Sequence, residues 1–128
     1  MLFRSNITSI AVRTPFPGLA MSSASRSALT ALVATVSREV ASHDVTINNL
    51  QPGIFETDRM LTGLKGAAKA TGRSVEETRA GMLSNIPVGR FGNTEEFGHA
   101  CAFLCSSHSG FITGQNLLID GGHFPGVF

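Results

Sequence analysis

Two places in this 128-residue sequence combine residue types and spacing that could do chemistry. The first is Pro52-Gly53-Ile54-Phe55-Glu56-Thr57, which directly follows the β-rich run Val45-Thr46-Ile47-Asn48-Asn49-Leu50. In open α/β sheets, ligands bind outside the carboxyl ends of strands. Proline stops the ladder there, and glycine lets backbone approach a flat ring closely. Read blandly, the same residues are an ordinary strand-to-loop turn. The second place holds Cys101 and Cys105, four apart and so on one side of a helix, with His99 and His108 nearby. Structural zinc sites usually want Cys-x2-4-Cys plus a second ligand pair. Two small core thiols in a reducing cytosol are the better reading, and no metal is expected. The sequence contains no tyrosine.

The elements that must position these groups follow from periodicity. Residues 5–10 are β-rich and lead through Pro15, Pro17 and Gly18 into a helix from Ser22. Leu29, Leu32, Val33, Val36 and Val40 give that helix an apolar stripe. A turn at His43-Asp44 precedes the second strand, 45–50. Residues 58–84 are rich in Lys, Arg, Gly, Thr and Ser and read as short helices forming a mobile lid. Asn93 or Thr94 caps the next helix, with Glu95 and Glu96 at its positive end. Phe97, Ala100, Cys101, Leu104 and Cys105 form its apolar face. A third strand spans 115–120, ended by Gly121-Gly122. Strands alternating with helices predict parallel pairing through right-handed crossovers. The predicted fold class is α/β, the C-terminal half of a Rossmann-like doubly wound sheet in three layers, as a single partial domain over residues 1–128.

Three segments together resemble the short-chain dehydrogenase/reductase family. They are Asn48-Asn49-Leu50-Gln51-Pro52-Gly53-Ile54-Phe55-Glu56-Thr57, Val88-Gly89-Arg90-Phe91-Gly92, and Phe111-Ile112-Thr113-Gly114-Gln115-Asn116-Leu117-Leu118-Ile119-Asp120-Gly121-Gly122. The likeness covers nearly the whole chain and is nearest to members like the 3-oxoacyl-carrier-protein reductases. It implies hydride exchange between NAD or NADP and a small carbonyl or alcohol substrate. Pro52, Gly53, Ile54 and Thr57 would hold the nicotinamide, with the Ile54 backbone on the carboxamide. The family's catalytic serine lies 13 residues before a tyrosine. Ser9 and Ser22 take those two positions, and Arg26 takes that of the lysine four residues on. Ser9 would position the substrate oxygen, and Arg26 would contact the ribose. Each has a plainer alternative: Ser9 caps local backbone, Ser22 is the N-cap of its helix, and Arg26 is a solvated helix arginine.

The resemblance stops short of a complete enzyme. No Gly-x-x-x-Gly-x-Gly follows a strand, and the start Met1-Leu2-Phe3-Arg4 reads as a truncation, a split gene or an internal start. A chain inactive alone is the expectation, with a non-catalytic assembly or binding module as the alternative. The composition is 42% apolar with mean hydropathy +0.16, enough for one core. A formal charge of +1 with scattered Lys and Arg excludes a nucleic-acid face, and no apolar run reaches a membrane span. The first 38 residues hold four Arg and no Asp or Glu. That imitates a transit peptide, but a buried strand and packed helix account for it better. A cytoplasmic homo-oligomer is expected.

Overall fold

The computed structural model describes residues 1–127. Three strands, β1 (Leu2–Ile7), β2 (Val45–Pro52) and β3 (Asn116–Ile119), form one parallel sheet in the order β1-β2-β3. Four helices connect them: α1 (Ala20–Val40), α2 (Asp58–Thr71), α3 (Val75–Leu83) and α4 (Thr94–Leu104). The α/β architecture with parallel strands is the expected one; the boundaries of β1, α1 and β2 differ from expectation, and β3 is one residue shorter at each end.

β1 lies three residues upstream of the 5–10 run. Its ladder ends where the Thr8 N–H donates to the Leu50 carbonyl at 2.8 Å. Ser9 then turns the chain: its hydroxyl accepts from the Ala11 N–H at 3.0 Å. Ile10 and Ala11 bury themselves in a short 3-10 turn rather than in the sheet. α1 starts at Ala20, capped by Leu19 without a side-chain bond. Ser22 is therefore the third residue of the helix and not its N-cap. β2 runs through Pro52, because the ladder to β3 continues from the Gly53 N–H to the Ile119 carbonyl at 2.9 Å.

β2 is the centre of the molecule. Leu50, Asn48, Asn49 and Gln51 are all essentially inaccessible to solvent. Buried amides must find partners. Asn48 donates to the Ile112 carbonyl at 2.9 Å and accepts from the Gln115 N–H at 3.0 Å, which pins the approach to β3. Asn49 joins its two in-register neighbours: Asn6 donates to its Oδ1 at 3.3 Å, and its own amide donates to the Asn116 Oδ1 at 2.8 Å. α1 covers one face with Val33 and Ser37 buried. Leu32, expected on the apolar stripe, is 58% exposed. It lies one position from Val33, so it points off the face that the sheet covers.

Residues 58–84 are two ordinary helices. α2 is capped by Thr57, buries Leu64 and Ala68, and ends at Gly72, whose φ of 67° is the left-handed C-cap conformation. α3 opens on a capping box between Ser74 and Glu77. α4 opens on a second box, with the Asn93 side chain accepting from the Glu95 N–H and the Glu96 carboxylate accepting from the Asn93 N–H.

Glu96 also takes a two-pronged bond from Arg90, at 2.6 and 2.8 Å. These bonds to Arg90, with that from the Asn93 backbone, lower its carboxyl to about 2 from an ordinary 4.5. A carboxyl lowered in the folded state stabilises fully above its unfolded value and loses that contribution as pH falls through the folded one. The Glu96 carboxylate resonance should titrate near pH 2 in the folded protein. Helix α4 should fray between about pH 4.5 and 2 in the wild type, and this step should be absent from Glu96→Gln. Amide chemical shifts across residues 93–97, followed through an acid titration, provide the check.

Candidate functional site

A cleft of about 600 Å3 opens at the carboxyl ends of β1 and β2. Its position follows from the fold. β1 ends at the Ser9 turn, β2 ends at Pro52, and the first turns of α1 and α2 close the sides. Ser9, Ser22 and Arg26 line it together with Pro52, Gly53, Ile54 and Thr57. Every residue expected to do chemistry thus faces one cavity, although Ser9 and Thr57 are 48 positions apart. Its apolar walls include Ile7, Phe55 and Phe97.

The hydrogen bonding leaves each polar group with something to give. Ser9 accepts from Ala11, and Thr57 accepts from the Met60 N–H at 3.2 Å. Ser22 accepts from the Arg26 Nε–H at 3.2 Å. A hydroxyl that accepts one bond still carries a proton to donate. Arg26 donates from Nη1 to the Ile7 carbonyl at 3.0 Å and to the Thr8 carbonyl. It is a bracket that ties α1 to the end of β1, not a freely solvated side chain. Its Nη2 makes no bond among the described residues. The Ile54 N–H is likewise unpaired there, while the Ile54 carbonyl accepts from Gly92 at 2.9 Å.

Gly53 has a reason that the sequence concealed. A Cβ at this position would lie 2.7 Å from Asp120 Cβ and 2.9 Å from Asp120 Cα. Glycine is needed because the end of β3 crosses close behind it, whatever ring lies in front. A second strap escaped sequence reasoning. The Glu56 N–H donates to the Gly92 carbonyl at 2.9 Å, and Phe55 packs edge-on against Phe97 with centroids 5.5 Å apart. The 88–92 loop thereby holds the 54–57 segment in place. Gly92 carries no side chain because a Cβ would sit 2.6 Å from the Phe55 ring. Arg59 and Met60, at the start of α2, also line the cleft. The available signal for Arg59 was its place just inside a helix that Thr57 caps.

The cysteine pair lies away from this cleft. Cys101 is partly buried, which together with the adjacent Cys105 raises its thiol. Cys105 is exposed, so only one of the two expected core thiols lies toward the core. Its Sγ meets the Ser5 hydroxyl at 3.5 Å. Among the described residues, no three His, Cys, Asp or Glu side chains gather as a metal site.

Comparisons with known proteins agree with this fold. The family described as Enoyl-(Acyl carrier protein) reductase matches residues 5–123. The 3-oxoacyl-(acyl-carrier-protein) reductase FabG of Escherichia coli (strain K12) is 36% identical over 107 residues, covering 84% of this chain and 39% of that one. The reductase of the same name from Haemophilus influenzae is 34% identical over 119 residues, covering 91% and 44%. Among solved structures, YwfH, an NADPH-dependent reductase involved in bacilysin biosynthesis, superposes with a TM-score of 0.90 at 29% identity, over 98% of this chain and 48% of that one. L-sorbose reductase from Gluconobacter frateurii shares the fold at TM-score 0.88 and 22% identity, over 96% of this chain and 47% of its own. The chain spans about two fifths of the length of the curated relatives and about half that of the solved ones. Its matched profile, its parallel sheet and the cleft at the strand ends place it in one family: the chain belongs to the short-chain dehydrogenases/reductases, among relatives like the 3-oxoacyl-carrier-protein reductases.

Proposed function

We propose that this chain forms the nicotinamide-facing half of an NAD(P)-dependent oxidoreductase site that interconverts a carbonyl and an alcohol. The observation that carries the proposal is the convergence of Ser9, Ser22 and Arg26 with Pro52–Thr57 on one cleft. The cleft fits a nicotinamide chemically. The unpaired Ile54 N–H is a ready donor for a carboxamide oxygen, the Thr57 hydroxyl keeps a proton to donate, and the wall between Ile7 and Phe97 is apolar. When bound, the nicotinamide supplies or takes the hydride.

The chain's own groups do the rest. Ser9 donates its free proton to the substrate oxygen. Ser22 stands one turn before Arg26 and keeps a proton as well. An arginine holds its charge at ordinary pH, so Arg26 orients and attracts but does not relay. A proton for the substrate oxygen must then come from water through the Ser9 hydroxyl, a weaker route than a tyrosine acid.

A second reading, a binding or assembly module without catalysis, is favoured by one observation. Arg26 is committed to the Ile7 and Thr8 carbonyls, so that side chain already has a structural task. Titration with NADPH separates the two. A saturable change in nicotinamide fluorescence supports the oxidoreductase site, and a flat titration supports the module. In either case the 128-residue chain is expected to show no turnover of simple ketones in the ordinary range of ~1–1000 per second.

The proposal extends to self-association in the cytoplasm. The outer edge of β1 has no strand partner among the described residues, and Leu2 and Ile7 are exposed on that strand. Leu32 on α1 and Phe103 on α4 add exposed apolar surface. Bare edges and apolar patches favour association. Two unpaired thiols suit a reducing compartment, and no helix is long and apolar enough to cross a membrane. Sedimentation should show a dimer or larger species at micromolar concentration, and a stable monomer would count against it.

A further inference from the structure

The cleft is rich in donors and short of negative charge. Arg26 and Arg59 line it, and among the described residues no Asp or Glu does. Elsewhere the arginines that meet carboxylates pair with them: Arg79 with Glu56 at 3.1 Å, and Arg90 with Glu96 at 2.6 Å. The Arg59 side chain makes no hydrogen bond or ion pair among the described residues. Arg26 spends Nε and Nη1 on Ser22 and two backbone carbonyls, leaving the two N–H bonds of Nη2. The Ser9, Ser22 and Thr57 hydroxyls are each accepting already and have protons left to donate. Such a surface is matched by an acceptor-only, negatively charged group, and the apolar walls require that the rest of the ligand be hydrocarbon-like.

We infer that the cleft selects a carbonyl compound that carries a carboxylate, an oxo acid, with Arg59 as the cation that meets it. The inference rests on the oxidoreductase reading for the carbonyl and on the donor inventory alone for the carboxylate. A guanidinium presents paired N–H groups at the spacing of carboxylate oxygens, and such charge-assisted bonds are about twice as strong as neutral ones. A dinucleotide's phosphates offer the same anionic oxygens, so the test must distinguish the two sources.

The test uses the 128-residue chain and backbone amide spectra. Pyruvate, its neutral isostere pyruvamide, and inorganic pyrophosphate are titrated separately, each with and without NADPH. Pyruvate should shift residues 9, 26, 53 and 59 saturably and bind at least ~10-fold more tightly than pyruvamide. Arg59→Gln should weaken pyruvate by ~3–10-fold, leave pyruvamide unchanged and leave the thermal midpoint intact. Equal binding of the two isosteres overturns the inference. So does the absence of saturable shifts up to ~100 mM, or an affinity for pyruvate untouched in Arg59→Gln. Pyrophosphate outcompeting pyruvate at the same residues also overturns it, by assigning that cation to the cofactor's phosphates. The two readings fail separately. Carboxylate preference without any NADPH response removes the cofactor and keeps the anion site, whereas NADPH binding without carboxylate preference does the reverse.

Discussion

Joining Ser22→Tyr with Arg26→Lys is expected to raise reductase turnover by ~100–10,000-fold, the usual worth of a positioned general acid. The assay is NADPH oxidation by a fusion that places the N-terminal half of a solved family reductase ahead of Met1. The parent fusion with Ser22 and Arg26 is the reference. The geometry favours the gain. Ser22 and Arg26 are neighbours on one face of α1, joined at 3.2 Å, and both face a cleft of about 600 Å3 that can accept a phenol. A tyrosine there titrates near 10 when unperturbed and falls toward neutrality beside a cation, which no serine hydroxyl can match. Arg26→Lys alone should loosen the junction of α1 and β1, because a single ammonium cannot hold Ser22 and two carbonyls in the fixed fork of a guanidinium. Ser22→Ala removes the acceptor of the Arg26 Nε–H and one hydroxyl from the cleft, and alanine's helix propensity offsets part of the loss in stability. Its effect on turnover should be slight. Abolished turnover in folded Ser22→Ala would instead make Ser22 a working member of a proton relay.

The second large effect concerns stability. Asn48→Ala should destabilise the protein by ~2–5 kcal/mol, because two backbone groups lose their partners at once. The Ile112 carbonyl and the Gln115 N–H are served by that one buried amide, and each unsatisfied group costs ~1–3 kcal/mol. For a chain of this size the melting temperature should fall by roughly 10 °C or more. Asn48→Asp keeps the acceptor for Gln115 and places a carboxylate against the Ile112 carbonyl, so it should be at least as damaging at neutral pH and recover partly on acidification. Circular dichroism melts at two pH values test both statements.

The elements most legible in the sequence were those governed by local rules. The start of α4 is written in the consecutive residues Asn93 to Glu96; the Ser74–Glu77 box and the Gly72 cap obey the same local rules and went unread. β2 announces itself through β-branched residues bounded by Asp44 and Gly53. Where tertiary contacts choose between local options, periodicity misleads. Ile10 and Ala11 suit a strand equally well, yet the Ser9 hydroxyl and the last ladder bond at Thr8 turn them into the core. Leu32 and Val33 are adjacent and similarly apolar, so only the placement of the sheet decides which is buried. Ser22 is an excellent cap residue, but α1 begins two residues earlier, directly after Gly18 and Leu19.

Part of the cleft's lining was legible in the sequence, and its wiring was not. Pro52 to Thr57 could be placed at a strand end from the sequence. The Glu56–Gly92 strap could not, since it links residues 36 positions apart through backbone groups that carry no sequence signal. Gly53 was explicable as a close approach, although the approaching group is Asp120 and not a ligand. Arg26 lines the cleft while spending most of its donors on the protein itself.

The amide row Asn6–Asn49–Asn116 acts as a register key for the sheet. Central strands usually find their alignment through alternating apolar faces, which permit a slip of two residues without changing the face. β2 offers little such pattern, because Thr46, Asn48, Asn49 and Gln51 are buried polar groups. Sliding β1 by two residues would bring Arg4 or Thr8 opposite Asn49 in place of Asn6. A one-residue slide would bring Ser5 or Ile7 there and invert the strand as well. Ile7 offers no donor to the Asn49 Oδ1, and Arg4, Ser5 and Thr8 would have to reach it with side chains of another length, whereas the Asn6 amide meets it at 3.3 Å. Misaligned sheets are thus disfavoured by hydrogen-bond geometry as well as by apolar burial. The apolar residues flanking β2 are correspondingly free to drift in sequence, while Asn49 can be replaced only by a residue that both gives and receives.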